Sequence, residues 1–387
     1  MRQARRNDRH PCLPCASRPG VFLLVLLLTL SGCRHGGGGP SAGYAFVAVA
    51  GAASVAVADL ASFTVVRHIP LRGRPVQLVS DPTRRTLYVM GEGGSAGLTV
   101  IDTAKLEIRR SLWLAEKPQR LRLSPDGKRL YVLDGRSYAL KTLDPETLMH
   151  GREIRLPKAP VDLDISPDGR WACVSLASDE VTVLDLANWK VTATVPVGRE
   201  PASVAVRFDG RQAFVANRAD RNISVIDLTA GRLVAHLPLG TRPEALRFKP
   251  DGGELFVSGG DGSVVVIISA YRDEINQPLL AGAEPRDIAI SRDNLLFVAN
   301  SAANTVSVIN IDDRRTLAAV PVGEEPHRVV LTPDDQHALV LNRKSGDMAV
   351  VRRSAPPRGR DRIQPPFTLF TLIPVGSHPV DLAVQAR

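Results

Sequence analysis

Pro118-Gln119-Arg120-Leu121-Arg122-Leu123-Ser124-Pro125-Asp126-Gly127-Lys128-Arg129-Leu130-Tyr131-Val132-Leu133 is answered 42 residues later by Pro160-Val161-Asp162-Leu163-Asp164-Ile165-Ser166-Pro167-Asp168-Gly169-Arg170-Trp171-Ala172-Cys173-Val174-Ser175. The two stretches are copies of one phrase. Further copies begin at Pro75, Pro201, Pro243, Pro285, Pro326 and Pro379, so that successive prolines stand 43, 42, 41, 42, 42, 41 and 53 residues apart. A fixed period of this length means one supersecondary unit repeated until it closes or stacks. In such a scaffold the chemistry lies where the copies differ.

Each unit carries four short β signals. Pro201-Ala202-Ser203-Val204-Ala205-Val206 alternates with a period of two, which places Val204 and Val206 on one face. Asp209-Gly210 then supplies the residue types of a tight reversal, as does Asp126-Gly127 in an earlier copy. Ala213 to Asn217, Ile223 to Asp227 and Leu233 to Pro238 follow as three further strands, and helical periodicity is absent. Four strands per unit at this period predict an all-β fold, a β-propeller of four-stranded blades. Before Pro75 only three strands occur, from Tyr44, Ser54 and Thr64, and the strand they lack is found at Pro379 to Val384. Pairing the two chain ends in one blade hides the sheet edges of an open array and gives eight blades. A seven-bladed ring remains possible but would leave one unit unpaired.

Phe214-Val215-Ala216-Asn217, Phe297-Val298-Ala299-Asn300 with Thr305 to Ile309, and the joints Val197-Gly198, Val322-Gly323 and Val375-Gly376 resemble the bacterial YVTN-type β-propeller repeat. The resemblance covers nearly everything from Tyr44 onward. It implies the fold, and it implies relatives that include surface proteins, periplasmic proteins and eight-bladed domains that hold haem d1. It does not choose among them.

The N-terminus combines Arg2, Arg5, Arg6, Arg9 and Arg18 with a ten-residue apolar run from Val21 to Leu30. That run is too short to span a bilayer and reads as the core of a signal peptide, residues 1–32. It ends in Leu30-Ser31-Gly32-Cys33, which resembles a lipobox, and the resemblance implies lipidation at Cys33. With Arg34 at the second mature position, the same resemblance implies the outer membrane over the inner. Residues 33–43 with their four consecutive glycines read as a flexible tether, leaving 44–387 as a single propeller domain. The expected location is thus the cell envelope, with membrane attachment through the lipid alone.

Charge and cysteine use agree with export. The chain carries +9, and losing residues 1–32 with their five arginines and Asp8 leaves +5, which is mild for this length and gives no reason to expect nucleic acid. Cys12 and Cys15 leave with the signal, so Cys173 has no disulfide partner and reads as a small buried apolar residue. The extra residues of the last interval, 352–366, are basic and proline-rich and read as an exposed loop between third and fourth strands.

Motifs for covalent haem attachment, zincin-type metal binding, phosphate loops and serine hydrolases are missing. The recurrent Asp-Gly pairs read as turns, with no calcium loop around them. The joints between fourth and first strands all fall on one rim of the ring. The rim candidates for an anionic ligand or an acidic partner are Arg74, Lys117, Arg120, Lys158, Arg199, Arg242 and Arg286. Glu200, Glu284, Glu324 and Glu325 lie among them, so pairing along the rim is an equally natural reading. His327 and His378 flank the last two prolines and are the candidate imidazoles. No catalytic residue or metal ligand set is expected. The function expected is therefore that of a monomeric, non-enzymatic binding or scaffold module for a protein or envelope component. Alternatives are a propeller that handles haem d1 or another cofactor through His327 or His378, and a lactonase-like hydrolase.

Overall fold

Each sequence unit becomes one antiparallel sheet of four strands, and eight such sheets form the fold. The computed structural model describes residues 43–93, 97–114, 117–354 and 366–386; the signal segment, Cys33, the tether to residue 42, and 355–365 of the insertion lie outside them. Blades 1 to 7 are continuous in sequence, with innermost strands Arg74–Asp81, Pro118–Leu123, Pro160–Ile165, Pro201–Val206, Pro243–Phe248, Pro285–Ile290 and Pro326–Leu331. Blade 8 is split: Pro379–Ala386 is its innermost strand and pairs with Gly43–Val49 from the other end of the chain, followed outward by Ser54–Asp59 and Thr64–Pro70. Among the described residues there is no helix. Successive innermost strands contact one another and the last contacts the first, so the ring is closed around a central channel.

Burial follows strand position. Second and third strands such as Gln212–Asn217 and Asn222–Asp227 are buried along almost their whole length, whereas outer strands such as Arg232–Pro238 alternate toward solvent. Opposite faces of one strand serve opposite neighbours: Phe214 and Ala216 pack toward blade 5, while Ala213 and Val215 pack toward blade 3. Apolar clusters of this kind fill all eight interfaces between neighbouring blades. Each buried Val, Leu, Ile or Phe contributes about 1.5–3 kcal/mol there. Cys173 belongs to one of these clusters, buried and unbonded, and desolvation pushes its thiol pKa up. The Asp-Gly pairs do form turns, with Gly127, Gly169, Gly210 and Gly252 at positive φ.

Candidate binding site at the joint rim and channel

The joint residues do not behave alike around the rim. Arg199 Nε lies 2.6 Å from Asp220 Oδ1, which raises the arginine pKa; the Arg199 backbone N–H, donating to Asp220 Oδ2 at 2.8 Å, together with this side-chain contact lowers that of the aspartate. Arg242 reaches Glu200 at 3.6 Å and Glu244 at 3.9 Å; Arg286 reaches Glu244 at 3.1 Å and Glu284 at 3.3 Å. Arg218 adds a third guanidinium to Glu244 at 2.7 Å. The Glu244 side chain is only 10% exposed, and it lies across Gly260, where a Cβ would come within 2.2 Å of the Glu244 Cγ. Blades 4 to 6 therefore carry a self-compensated rim. Arg74, Lys117 and Lys158, at the entries to blades 1, 2 and 3, are exposed and form no ion pair among the described residues.

The two histidines occupy different environments. His378 is exposed, at φ +53°, and its carbonyl accepts the Ala50 N–H at 3.0 Å across the split blade. His327 is half-buried; no side chain bonds its ring nitrogens, and the Val380 backbone is the polar group that approaches them. Desolvation, assisted by the charge of Arg343, lowers its pKa, so the ring is neutral at physiological pH.

Arg120 belongs to a second, deeper arrangement. It stands two residues beyond its proline, inside the innermost strand, and pairs through Nε with Asp162 of the next blade. The same position holds Asp287, Arg328 and Asp381 in blades 6, 7 and 8. Asp287 receives Arg247 at 3.1 Å and Arg328 at 3.4 Å, and Arg328 also reaches Asp381 at 3.1 Å. The nearby Asp287 and Asp381 raise the Arg328 pKa. The same carboxylates accept backbone N–H groups from the neighbouring innermost strand: Asp162 from Val204 at 3.1 Å, Asp287 from Val329 at 3.1 Å, and Asp381 from Leu78 at 2.8 Å. An innermost strand has a sheet partner on one side only, so its other N–H groups need acceptors. The channel aspartates supply them and the arginines balance the charge. Asp164, deeper still, accepts the Val206 N–H at 2.8 Å, and burial raises its pKa.

Sequence reasoning singled out Arg120 but missed Asp162, Asp164, Asp287, Arg328 and Asp381. Their common offset of two or four residues from the repeat proline was the available signal. Between blades 4 and 5 the belt is interrupted, because Ser203 and Ala245 hold the corresponding positions. There the blades are bridged above the belt by Arg218 and Glu244, and at the other end by Arg207, which donates to the Ala270 carbonyl. No group of three or more potential metal-binding side chains occurs among the described residues.

No protein-family model matches the chain, and no curated protein matches it. Solved structures do. The dihydro-haem d1 dehydrogenase NirN, determined in complex with DHE, has a TM-score of 0.73 at 16% identity over 88% of this chain and 74% of that one. Kuenenia stuttgartiensis hydrazine synthase has a TM-score of 0.58 at 20% identity, covering 72% of this chain and 95% of that one. A protein of unknown function from Desulfotomaculum acetoxidans DSM 771 has a TM-score of 0.58 at 14% identity, covering 71% and 94%. At these identities the likeness is one of fold: the protein is an eight-bladed β-propeller.

Proposed function

We propose that the protein is a lipid-anchored YVTN-type propeller of the cell envelope, facing the periplasm or the surface from the outer membrane. In this reading it is a monomeric, non-enzymatic binding module whose partner presents acidic groups to the joint rim of blades 1 to 3. The observation that carries it is the difference along that rim. Arg199, Arg242 and Arg286 are engaged by carboxylates, whereas Arg74, Lys117 and Lys158 are exposed and form no ion pair among the described residues. Uncompensated cations on a rigid arc attract and orient an anionic surface. The anchor rests on the sequence at Cys33 and on the glycine tether. Cross-linking in cells tests the reading: the triple variant Arg74→Glu, Lys117→Glu, Lys158→Glu should lose a companion that the native protein captures. An unchanged set of companions refutes it. Independently, Cys33→Ser should release the protein into the soluble fraction, and recovery in the detergent phase would refute the anchor.

A second reading has its own observation, the half-buried His327 ring, which no side chain engages by hydrogen bond among the described residues. Together with the fold shared with NirN, it supports a cofactor-handling role in which His327 or His378 holds a haem d1-type group. The residues fit that group as single donors only, since no further metal-binding side chains gather around them among the described residues. A visible absorption band lost in His327→Ala or His378→Ala would favour it, and a colourless protein that takes up no haem removes it.

A further inference from the structure

The same groove occurs at two neighbouring places in the repeat, and only one copy balances its charge. Each lies between the outer strands of one blade and the turn joining third and fourth strands of the next. Between blades 1 and 2 it holds about 430 Å³, and its cations are engaged. Arg84 meets Asp81 at 2.7 Å and Glu146 at 3.5 Å, Arg109 meets Asp102 at 2.7 Å, and Arg110 donates to the Thr147 carbonyl at 2.6 Å. Between blades 2 and 3 the groove widens to about 630 Å³ and is lined by Lys128, Arg129 and Arg152. These three are exposed and form no ion pair among the described residues. One substitution shows why. Glu146 and Ala187 are equivalent, since each donates its backbone N–H to the aspartate that opens its turn, Asp144 at 2.9 Å and Asp185 at 3.0 Å. The carboxylate that blade 2 extends to its neighbour is thus missing from blade 3.

Asp144 is the one carboxylate lining the wider groove. It is turned to its own loop, accepting from the Glu146 and Thr147 N–H groups at 2.9 and 2.8 Å and from the Thr147 hydroxyl at 3.0 Å. Three cations against one carboxylate leave an excess of positive charge in a concave site of ligand size. Beside the cations the groove is apolar: Met149 is 69% exposed, and the Trp189 ring is half-buried. Guanidinium and ammonium groups recognise a phosphate by charge-assisted hydrogen bonds, while the thioether and the indole accept an apolar body. The place of the groove in the ring narrows the choice. Turns joining first to second and third to fourth strands lie on the face opposite the joint rim, and Gly43, which opens the second strand of blade 8, starts on that same face. The segment that carries Cys33 is therefore attached on the groove's side of the ring. On the anchor reading proposed above, this is the side toward the membrane.

We propose that the groove between blades 2 and 3 binds an anionic phospholipid, with Lys128, Arg129 and Arg152 on its phosphate and Met149 and Trp189 against its apolar part. The choice of a lipid rests on that anchor reading, but the test uses soluble short-chain lipids and no membrane, so the two fail separately. Isothermal titration calorimetry of the full chain in a neutral detergent tests it. The probe is dihexanoyl phosphatidylglycerol; dihexanoyl phosphatidylcholine is its zwitterionic counterpart, and glycerol phosphate is the phosphate without acyl chains. Phosphatidylglycerol should bind about tenfold or more tighter than either. Arg152→Ala should weaken it by about fivefold. Ala187→Glu, which restores the carboxylate of the neighbouring groove, should weaken it by about tenfold or more. Both positions are exposed, so the fold tolerates the changes. Arg109→Ala, in the compensated groove, should leave the affinity unchanged. Equal binding of the two lipids, or an affinity unchanged in Ala187→Glu, overturns the proposal. Glycerol phosphate binding as tightly as phosphatidylglycerol overturns it too, since the ligand would then be a free phosphate ester.

Discussion

Gly198 and Asn217 are in such close apposition that a Cβ on Gly198 would lie 2.8 Å from the Cβ of Asn217. The relationship recurs where Gly282 faces Asn300 at 2.7 Å and Gly323 faces the Asn342 Nδ2 at 2.6 Å. Each asparagine is fully buried, and Asn217 is held by Asn222 and Ser224 at 2.7 and 2.8 Å. The joint glycine and the asparagine ending the second strand are therefore two halves of one contact, far apart in the repeat and adjacent in the blade.

Gly198→Ala should consequently destabilise the protein by about 1–3 kcal/mol through overpacking. Asn217→Gly removes both the Cβ and the Cγ that a Gly198 Cβ would meet at 2.8 Å, so the double variant should lose less than the two single losses combined. Denaturant unfolding midpoints of the four proteins measure the coupling. Additive losses would show that the contact is not the cause of the pairing.

Asp287 differs from the rim carboxylates in what its removal strands. Its side chain is 5% exposed and serves Arg247, Arg328 and the Val329 N–H. Asp287→Ala leaves the buried Val329 N–H without its acceptor and takes a carboxylate from the partly exposed Arg247 and Arg328, so about 1–3 kcal/mol of destabilisation is expected. Glu284→Ala, which removes an exposed partner of Arg286, should cost about 0–1 kcal/mol. Comparable melting temperatures for the two variants would contradict the distinction between channel and rim.

Asp164 sets a pH dependence of definite sign. Burial is the main cause of its raised pKa, with Asp162 adding and Arg122 opposing. Below the ordinary aspartate pKa, about 4, folded and unfolded chains both hold the proton and the residue contributes nothing to the pH slope. Above it the unfolded chain releases the proton first, so this residue's contribution to stability falls as pH rises toward the folded-state pKa. Asp164→Asn keeps an acceptor for the Val206 N–H without the charge. Its melting temperature relative to the native protein should therefore be higher at pH 7.5 than at pH 4; an equal or smaller difference at pH 7.5 removes the assignment.

The sequence exposed whatever repeats with the chain. Prolines at a fixed spacing, alternating strands and the strand missing before Pro75 were enough for eight blades and for their closure by Pro379 to Val384, because these features depend on local pattern and arithmetic. The Glu and Arg residues mixed through the joints were legible as a rim able to pair with itself, and Arg199, Arg242 and Arg286 do pair. Which cations stay unengaged was not legible, since that depends on whether a carboxylate of the next blade comes within reach. Asp162 and Asp287 looked like the polar positions of alternating strands. Their task follows from the free edge of the innermost strand, which exists only once the ring is built. His327 and His378 read as equivalent neighbours, but a two-residue difference in repeat position half-buries the first and leaves the second in water.

The split blade makes the last strand a structural lock with its own signature. Leu382, 3% exposed, packs with Val47, Val49 and Leu341 across blades 7 and 8, and Ala383 joins the cluster that reaches blade 1. Leu382→Ala should cost about 2–5 kcal/mol by cavity formation. Deleting 379–387 does more than lower stability, because it bares the edge of Gly43–Val49, a strand with no charged side chain. Such an edge pairs with other chains. The truncated protein should therefore melt at lower temperature and also elute as dimers or larger species, whereas Leu382→Ala should melt lower yet elute as the full chain does. A truncated protein that elutes like the full chain and unfolds at the native temperature would mean that the ring does not depend on this strand for closure.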